Sequence, residues 1–271
     1  MPRRMNDRRL KKALGQHFLT RSEVCAPLVA FLRPDGRLVT EIGPGSGALT
    51  AALLDAGARV VAWELDPRWA FRVQSRFGRD GLTTVLGDGL EIPWQRLPPG
   101  SLVAGNLPFN VATRIILEML ESTLGAPGRV LRAGFLVQRE VAERLVAEPG
   151  GKAYGSLSVL VAILARARRL ATVAPGAFRP PPKVDSAFVG LTLRPEAIEA
   201  ARYARAKTLV RSAFGQRRKT LRNSLGASLG AERAEALLSA AGFDRFERAE
   251  ALGPKEFLAL VECWEGLESG D

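Results

Sequence analysis

The stretch Val39-Thr40-Glu41-Ile42-Gly43-Pro44-Gly45-Ser46-Gly47-Ala48-Leu49-Thr50 constrains this chain more than any other. A short apolar strand runs into three alternating glycines and then into a helical pattern. Glycines at such a turn let the backbone approach a ligand closely and adopt angles that side chains forbid. The Gly-x-Gly-x-Gly spacing is not the Gly-x-Gly-x-x-Gly of dinucleotide binders, and the Gly-Lys-Ser/Thr of a phosphate loop is missing, so a diphosphate ligand is disfavoured. Taken alone, the turn would suit any nucleotide-like ligand, or would simply be a tight loop.

Its surroundings narrow the choice. Apolar, β-branched runs at 38–42, 60–63, 83–86, 102–104 and 134–137 alternate with helical patterns near 47–56, 67–77 and 111–121. Such alternation predicts an α/β fold, a parallel sheet covered by helices on both faces. Ser22 is placed to cap a helix ending near Leu32, ahead of Pro34 and Gly36. Two further strands are expected near 170–173 and 187–193. Beyond Pro195 only helical patterns remain, at 201–214, 217–225, 231–241 and 254–264. The expected organisation is a basic N-terminal arm with a lid motif (1–20), a sheet domain (21–194) and a smaller all-helical domain (195–271).

The second strand ends at Glu64, 21 residues beyond Gly43, where a carboxylate suits a bidentate bond to ribose hydroxyls. The third ends in Gly87-Asp88-Gly89, and Asp88 can accept from an adenine amino group. Either acid alone would be read as a solvated loop residue. Together with the glycine turn, they mark the ends of three successive strands. The pattern Glu-x-Gly-x-Gly-x-Gly, then Glu64, then Asp88 resembles the class I S-adenosylmethionine (SAM)-dependent methyltransferases over roughly residues 37–137. That resemblance implies a Rossmann-like, mostly parallel seven-stranded sheet.

The fourth strand leads into Asn106-Leu107-Pro108-Phe109, similar to the motif of methyltransferases that act on exocyclic adenine nitrogens. An aniline-like amine is a weak nucleophile because its lone pair is delocalised into the ring. Bonds from its protons to the Asn106 side-chain oxygen and the Leu107 carbonyl would draw that pair out of plane. Orientation and polarisation then suffice without a strong base. Phe109 offers a face for stacking. In isolation these four residues would be a proline turn with a core Phe.

Charge points the same way. The formal net charge is +11, and it is clustered. Arg3, Arg4, Arg8, Arg9, Lys11 and Lys12 crowd the N-terminus. Residues 202–222 hold eight bases and no acid, among them Arg211, Arg217, Arg218, Lys219 and Arg222, while 223–271 hold ten acids and four bases. Such clustering suits a polyanion. A solvated helix face is the plainer reading, and a membrane surface is disfavoured by the lack of bulky apolar residues in the stripe. One histidine and two distant cysteines, Cys25 and Cys263, rule out a histidine-based metal cluster or a disulfide framework. No metal, no membrane span, a cytoplasmic setting and a monomer are expected.

Two further segments specify the family. Leu14-Gly15-Gln16-His17-Phe18-Leu19 precedes the sheet, and Phe178-Arg179-Pro180-Pro181-Pro182-Lys183-Val184-Asp185-Ser186-Ala187-Phe188-Val189 follows its fifth strand. With Asn-Leu-Pro-Phe they resemble the ribosomal RNA adenine N6,N6-dimethyltransferases, specifically the KsgA type of the small-subunit (16S) RNA, over most of the chain. The resemblance implies a substrate in an assembling small ribosomal subunit. It also implies that His17 and Leu19 close over SAM, Gly43 and Gly45 line its methionine part, Glu64 holds the ribose, and Asp88 reads its adenine. Asn106 would border cofactor and target, and Phe178 would stack on the target opposite Phe109. Relatives often carry Asn at His17 and Tyr at Phe109. A lid contact is therefore favoured for His17 over a general base or a core histidine, and stacking at position 109 needs only the ring. Alternatives are a large-subunit RNA enzyme of antibiotic-resistance type, a DNA adenine methyltransferase and a non-catalytic RNA-binding assembly factor.

Overall fold

The computed structural model of the chain describes residues 17–78, 81–194, 198–216, 219–244 and 246–269. The six bases of the N-terminal arm, and Arg217 and Arg218 of the stripe, lie outside them. The described residues fall into two compact units, one formed by 17–142 with 166–194 and the other by 143–165 with 198–269.

The first unit is built on a sheet. In chain order it holds β1 (Phe18–Leu19), α1 (Ala26–Leu32), β2 (Leu38–Ile42), α2 (Ala48–Asp55), β3 (Arg59–Glu64), α3 (Pro67–Phe77), β4 (Leu82–Leu86), β5 (Ser101–Asn106), α4 (Ala112–Ser122) and β6 (Val130–Gln138). Later segments contribute β7 (Ala165–Val173), β8 (Phe178–Arg179) and β9 (Ser186–Leu193). Seven strands form one sheet in the order β4-β3-β2-β5-β6-β9-β7, and β1 and β8 form a separate two-stranded ribbon. Pairings from β4 through to β6 are parallel, and β9 runs antiparallel to β6. The central strands read as near-continuous apolar runs because helices cover both faces. Phe135, Leu136, Phe188 and Val189 are buried where β6 and β9 pair.

The strand order fixes the site. β2 pairs with β3 on one side and with β5 on the other, so successive connections leave it in opposite directions. A crevice opens at such a reversal, outside the carboxyl ends of the strands. Gly43, Glu64, Asp88 and Asn106 all lie at or just beyond those ends.

Glu41, near the end of β2, is 1 % exposed, and its Oε2 accepts a 2.7 Å bond from Thr50 Oγ1 on α2. Burial, with a smaller push from the negative charge of Glu64, raises its pKa to about 8, against the Thr50 bond. The native state therefore holds a proton that the unfolded chain releases near pH 4.5. Stability from this group is complete below that pH and is lost as pH rises through about 8. Glu41→Gln should flatten the pH dependence of the denaturation midpoint across this window and stabilise the protein at its alkaline end. An unchanged profile would mean that Glu41 is ionised in the fold.

The second unit is helical: α5 (Arg139–Leu145) leads into it, followed by α6 (Ser156–Leu164), α7 (Ala200–Phe214), α8 (Leu221–Leu229), α9 (Ala231–Ala240) and α10 (Pro254–Ser269). It draws on 143–165 as well as the tail, so the chain crosses between the units near 142 and 165, besides the crossing expected at 195. Tyr154 donates to the Leu252 carbonyl at 2.8 Å, and Phe214 packs between Tyr154 and Phe257. These contacts tie 143–165 to the C-terminal helices.

Two sequence expectations need correction. The helix near Ser22 begins as a 3-10 turn over Ser22–Cys25, and Ser22 caps nothing; the α-helix starts at Ala26 with Pro27 in its first turn. The helix expected over 217–225 begins at Leu221, because Thr220 caps it through the Asn223 N–H. Arg222 thus sits in the first turn of α8, and Arg218 lies outside the described residues.

Candidate active site

A cavity at the carboxyl ends of β2–β5 is lined by His17, Gly43, Gly45, Glu64, Asp88, Asn106, Leu107 and Phe109, eight of the residues expected from sequence. Its remaining wall comes from Phe18, Ile42, Trp63, Leu65, Leu90, Val111 and Ile115 with their neighbours. Trp63, Leu65, Leu90, Val111 and Ile115 drew no attention in the sequence, since single apolar residues near strand ends are indistinguishable from core.

The glycine turn is demanded by space. Gly45 has φ +52°, and a Cβ there would come within 2.7 Å of the Phe18 ring. Its N–H donates to Glu64 Oε2 at 3.1 Å, while Glu64 Oε1 accepts from the Asp66 N–H at 3.0 Å. Glu64 is 3 % exposed. Burial, with a smaller push from the negative charge of Asp66, raises its pKa, opposed by those two bonds and a weaker one from the Leu65 backbone. A carboxylate accepts at both oxygens, so the two hydroxyls of a vicinal diol can donate to it. Asp88 Oδ1 accepts from the Leu90 N–H at 2.9 Å and caps the short turn that follows β4. That bond fixes the carboxylate at the cavity wall. Glycines where a Cβ would clash, an acid suited to a diol and a second acid among Leu65, Leu90 and Trp63 are together compatible with an adenosyl cofactor. Among the described residues no group of acids, histidines and cysteines is arranged to hold a metal.

Asn106 ends β5. Its Nδ2 donates to the His17 carbonyl at 2.8 Å, which leaves Oδ1 as the acceptor of that side chain. The Leu107 N–H is held by the Leu136 carbonyl at 3.1 Å, and the Pro108 carbonyl accepts from Val111 and Ala112. Among the described residues, the Leu107 carbonyl accepts no backbone hydrogen bond. The motif therefore presents two fixed acceptors, Asn106 Oδ1 and Leu107 O, beside the half-buried ring of Phe109.

The two family segments meet in the ribbon. Phe18 pairs with Arg179 and Leu19 with Phe178. His17 Nδ1 lies 2.7 Å from the Pro180 carbonyl, so that nitrogen carries the proton. The His17 ring packs on Phe109 at 5.4 Å between centroids. A latch of this kind does not need imidazole. An Asn amide can make the same donation, so His17→Asn should retain most of the methyl transfer activity, with no lost basic limb in the pH–rate profile. A variant that bound its ligands but was inactive would show that the imidazole acts in the chemistry.

Two expected residues do not line this cavity. Phe178 is 4 % exposed and packs in the core with Leu19, Val173 and Phe188. Its ring is buried and does not line the cavity with Phe109, whose ring is packed by His17. Leu19 is also buried, and its carbonyl accepts from Ser46 Oγ at 3.1 Å. Phe18 lines the cavity, and Leu19 lines a smaller pocket with Gly43 and Asn106.

In the second unit the charge stripe is partly neutralised. Arg202 pairs with Glu262, Arg205 with Glu265 and Glu268 at 3.1 Å each, and Arg222 with Glu235. Acids separated from the stripe in sequence are thus brought onto it by α9 and α10. Arg211 and Lys219 are exposed.

Comparison with known proteins agrees with this geometry. A family model described as ribosomal RNA adenine dimethylase matches residues 7–265. The chain belongs to the ribosomal RNA adenine dimethylase family. Within it, the chain is 42 % identical over 265 residues to a ribosomal RNA small subunit methyltransferase A of Nitratidesulfovibrio vulgaris, covering 94 % of this chain and 96 % of that protein. It is 43 % identical to the protein of the same description from Syntrophotalea carbinolica, again over 94 % and 96 %. The crystal structure of the 23S rRNA methyltransferase ErmE is 30 % identical with a TM-score of 0.68, covering 92 % of this chain and 99 % of that one. A dimethyladenosine transferase from Plasmodium falciparum shares the fold at a TM-score of 0.76 and 22 % identity, over 94 % and 98 %. Among the described residues no helix is long and apolar enough to cross a membrane.

Proposed function

We propose that this adenine dimethylase transfers methyl groups from SAM to the N6 amines of two adjacent adenosines in small-subunit (16S) ribosomal RNA during ribosome assembly, giving N6,N6-dimethyladenosine. The observation that carries the reading is the Asn106 amide, whose Nδ2 is committed to the His17 carbonyl so that Oδ1 must accept. Asn106 Oδ1 and Leu107 O accept hydrogen bonds from the amine N–H groups, two in adenosine and one after the first transfer, and turn the nitrogen lone pair out of the purine plane. Pro108 has no N–H and keeps the loop rigid, so both acceptors are set before the base arrives. Phe109 holds the purine face. Glu64 anchors the cofactor's ribose, Asp88 its adenine, and Gly43 and Gly45 admit the chain that bears the reacting centre. The cofactor, when bound, supplies a methyl on a sulfonium, an electrophile that needs no further activation. An alkylated aminopurine nitrogen is acidic and releases its proton to water, so no residue is required as a strong base.

Exposed Arg211 and Lys219, together with Arg217 and Arg218, are proposed to meet RNA phosphates. Arg222 is a weaker candidate because Glu235 already holds it. The small subunit is favoured over the large because relatives of that description are 38 to 43 % identical, against 30 % for ErmE. Incubating the enzyme with methyl-labelled SAM and under-methylated ribosomal RNA decides between them. Label is expected on adenines of the small-subunit RNA. Label on large-subunit RNA alone would favour the ErmE-like reading.

A further inference from the structure

Helix α3 leaves the tip of β3, directly after Glu64 and Leu65 of the cavity wall. Asp66 caps it by accepting from the Arg68 N–H at 2.9 Å. At 100° per residue, Ala70, Val73 and Phe77 face the sheet. Arg68, Phe71, Arg72, Ser75 and Arg76 then occupy an outward arc of about 140°. All five are exposed, and Phe71 is 76 % exposed, more than any other large apolar side chain among the described residues. The basic residues on this arc are ordered by rings as well as by acids. The Arg72 guanidinium lies 5.2 Å from the centre of the Trp69 ring, and that of Arg76 lies 4.7 Å from the centre of the Phe77 ring. Arg68 pairs with Asp66. Among the described residues neither Arg72 nor Arg76 forms a salt bridge to a carboxylate.

A fully presented aromatic ring flanked by guanidiniums one turn apart is costly to leave in water and suits neither a folded core nor an apolar partner. It fits a polyanion that also carries flat, stackable groups. We infer that the outer face of α3 is a second RNA-contact surface, on which an unpaired base stacks against Phe71 while Arg72 and Arg76 hold the adjoining phosphates. This rests on the RNA-methylating reading of the cavity. The helix starts where the cavity wall ends, so the nucleotides it holds are neighbours of the target adenosine in the folded RNA. The surface is separate from the C-terminal stripe, and lies in the unit that also holds the adenine site.

Three variants test it: Phe71→Ala, Phe71→Trp, and Arg72→Gln combined with Arg76→Gln. Binding of small-subunit RNA is measured by filter retention across salt concentrations, with SAM affinity and single-turnover methylation alongside. Phe71→Ala is expected to weaken RNA binding about 5- to 100-fold, and to raise the RNA concentration needed for half-maximal methylation. Saturated turnover and SAM affinity should hold. Phe71→Trp should retain affinity, and its added tryptophan fluorescence should be quenched by RNA. The double arginine variant should flatten the salt dependence by about two units of slope. Wild-type RNA affinity and salt dependence in these variants, beside an active wild-type enzyme, would overturn the surface while leaving the function intact. Loss confined to protein-bearing particles, with naked RNA binding unaffected, would also overturn it, in favour of a protein contact. An inactive wild-type enzyme would instead strike at the reading of the cavity.

Discussion

Asn106→Ala should lower methyl transfer by about 10²- to 10³-fold, the usual cost of removing one preorganised group aimed at the reacting atoms. Two functions are lost together. The acceptor for one amine proton disappears, and so does the 2.8 Å bond that holds the His17 carbonyl and, through it, the start of the ribbon. Asn106→Asp separates them. Aspartate keeps an acceptor but cannot donate to His17 O, and it places a carboxylate oxygen against a carbonyl oxygen. It should therefore recover only part of the activity. RNA affinity should change little in either variant. Single-turnover rates at saturating SAM and RNA measure the effect directly. An Ala variant within threefold of wild type would remove Asn106 from the chemistry.

Glu64→Ala should weaken SAM binding by about 1–3 kcal/mol, the range for hydrogen bonds to a charged group. That is roughly 5- to 150-fold in Kd. The side chain both meets the ligand and holds the N–H groups of Gly45 and Asp66, so its removal also loosens the turn that admits the ligand. Glu64→Gln keeps an acceptor oxygen and should fall between the two. Burial raises the pKa of Glu64. The ionised form is the better acceptor, so SAM affinity of the wild type should fall as pH is lowered through that raised pKa, and the Gln variant should lack this limb. Calorimetry on folded variants checks both effects. Unchanged affinity in Glu64→Ala would exclude the residue from the cofactor site.

Most of the cavity was legible in the sequence because its residues sit where local rules are strict. Strands β2 to β5 follow apolar, β-branched runs, and Gly43, Glu64, Asp88 and Asn106 stand at their ends, where the strand order forces a crevice. The misplacements lie where distant segments meet. Phe178 belongs to a motif that suggests stacking, yet it pairs with Leu19 in a two-residue ribbon and lies buried in the core. Nothing local announces a ribbon that joins residues about 160 positions apart. Helix α6 escaped notice because Leu157, Val159, Leu160, Val161, Ile163 and Leu164 are all buried, so it lacks the one-sided pattern that marks a surface helix. The stripe at 202–222 has no acid in sequence, but Glu235, Glu262, Glu265 and Glu268 reach it through folding. Charge clustering along this stretch therefore overstates the charge it carries in space.

The central claim is that this chain makes N6,N6-dimethyladenosine in small-subunit RNA. Its most direct test is nucleoside and fragment mass spectrometry of under-methylated small-subunit RNA after incubation with the purified protein and SAM. Two adjacent adenosines, each heavier by two methyl groups and methylated at N6, are the predicted result, absent when SAM is omitted or when Asn106→Ala replaces the wild type. Unmodified adenosines in the presence of a folded, SAM-binding protein, or methyl groups found only on another base, would contradict the account.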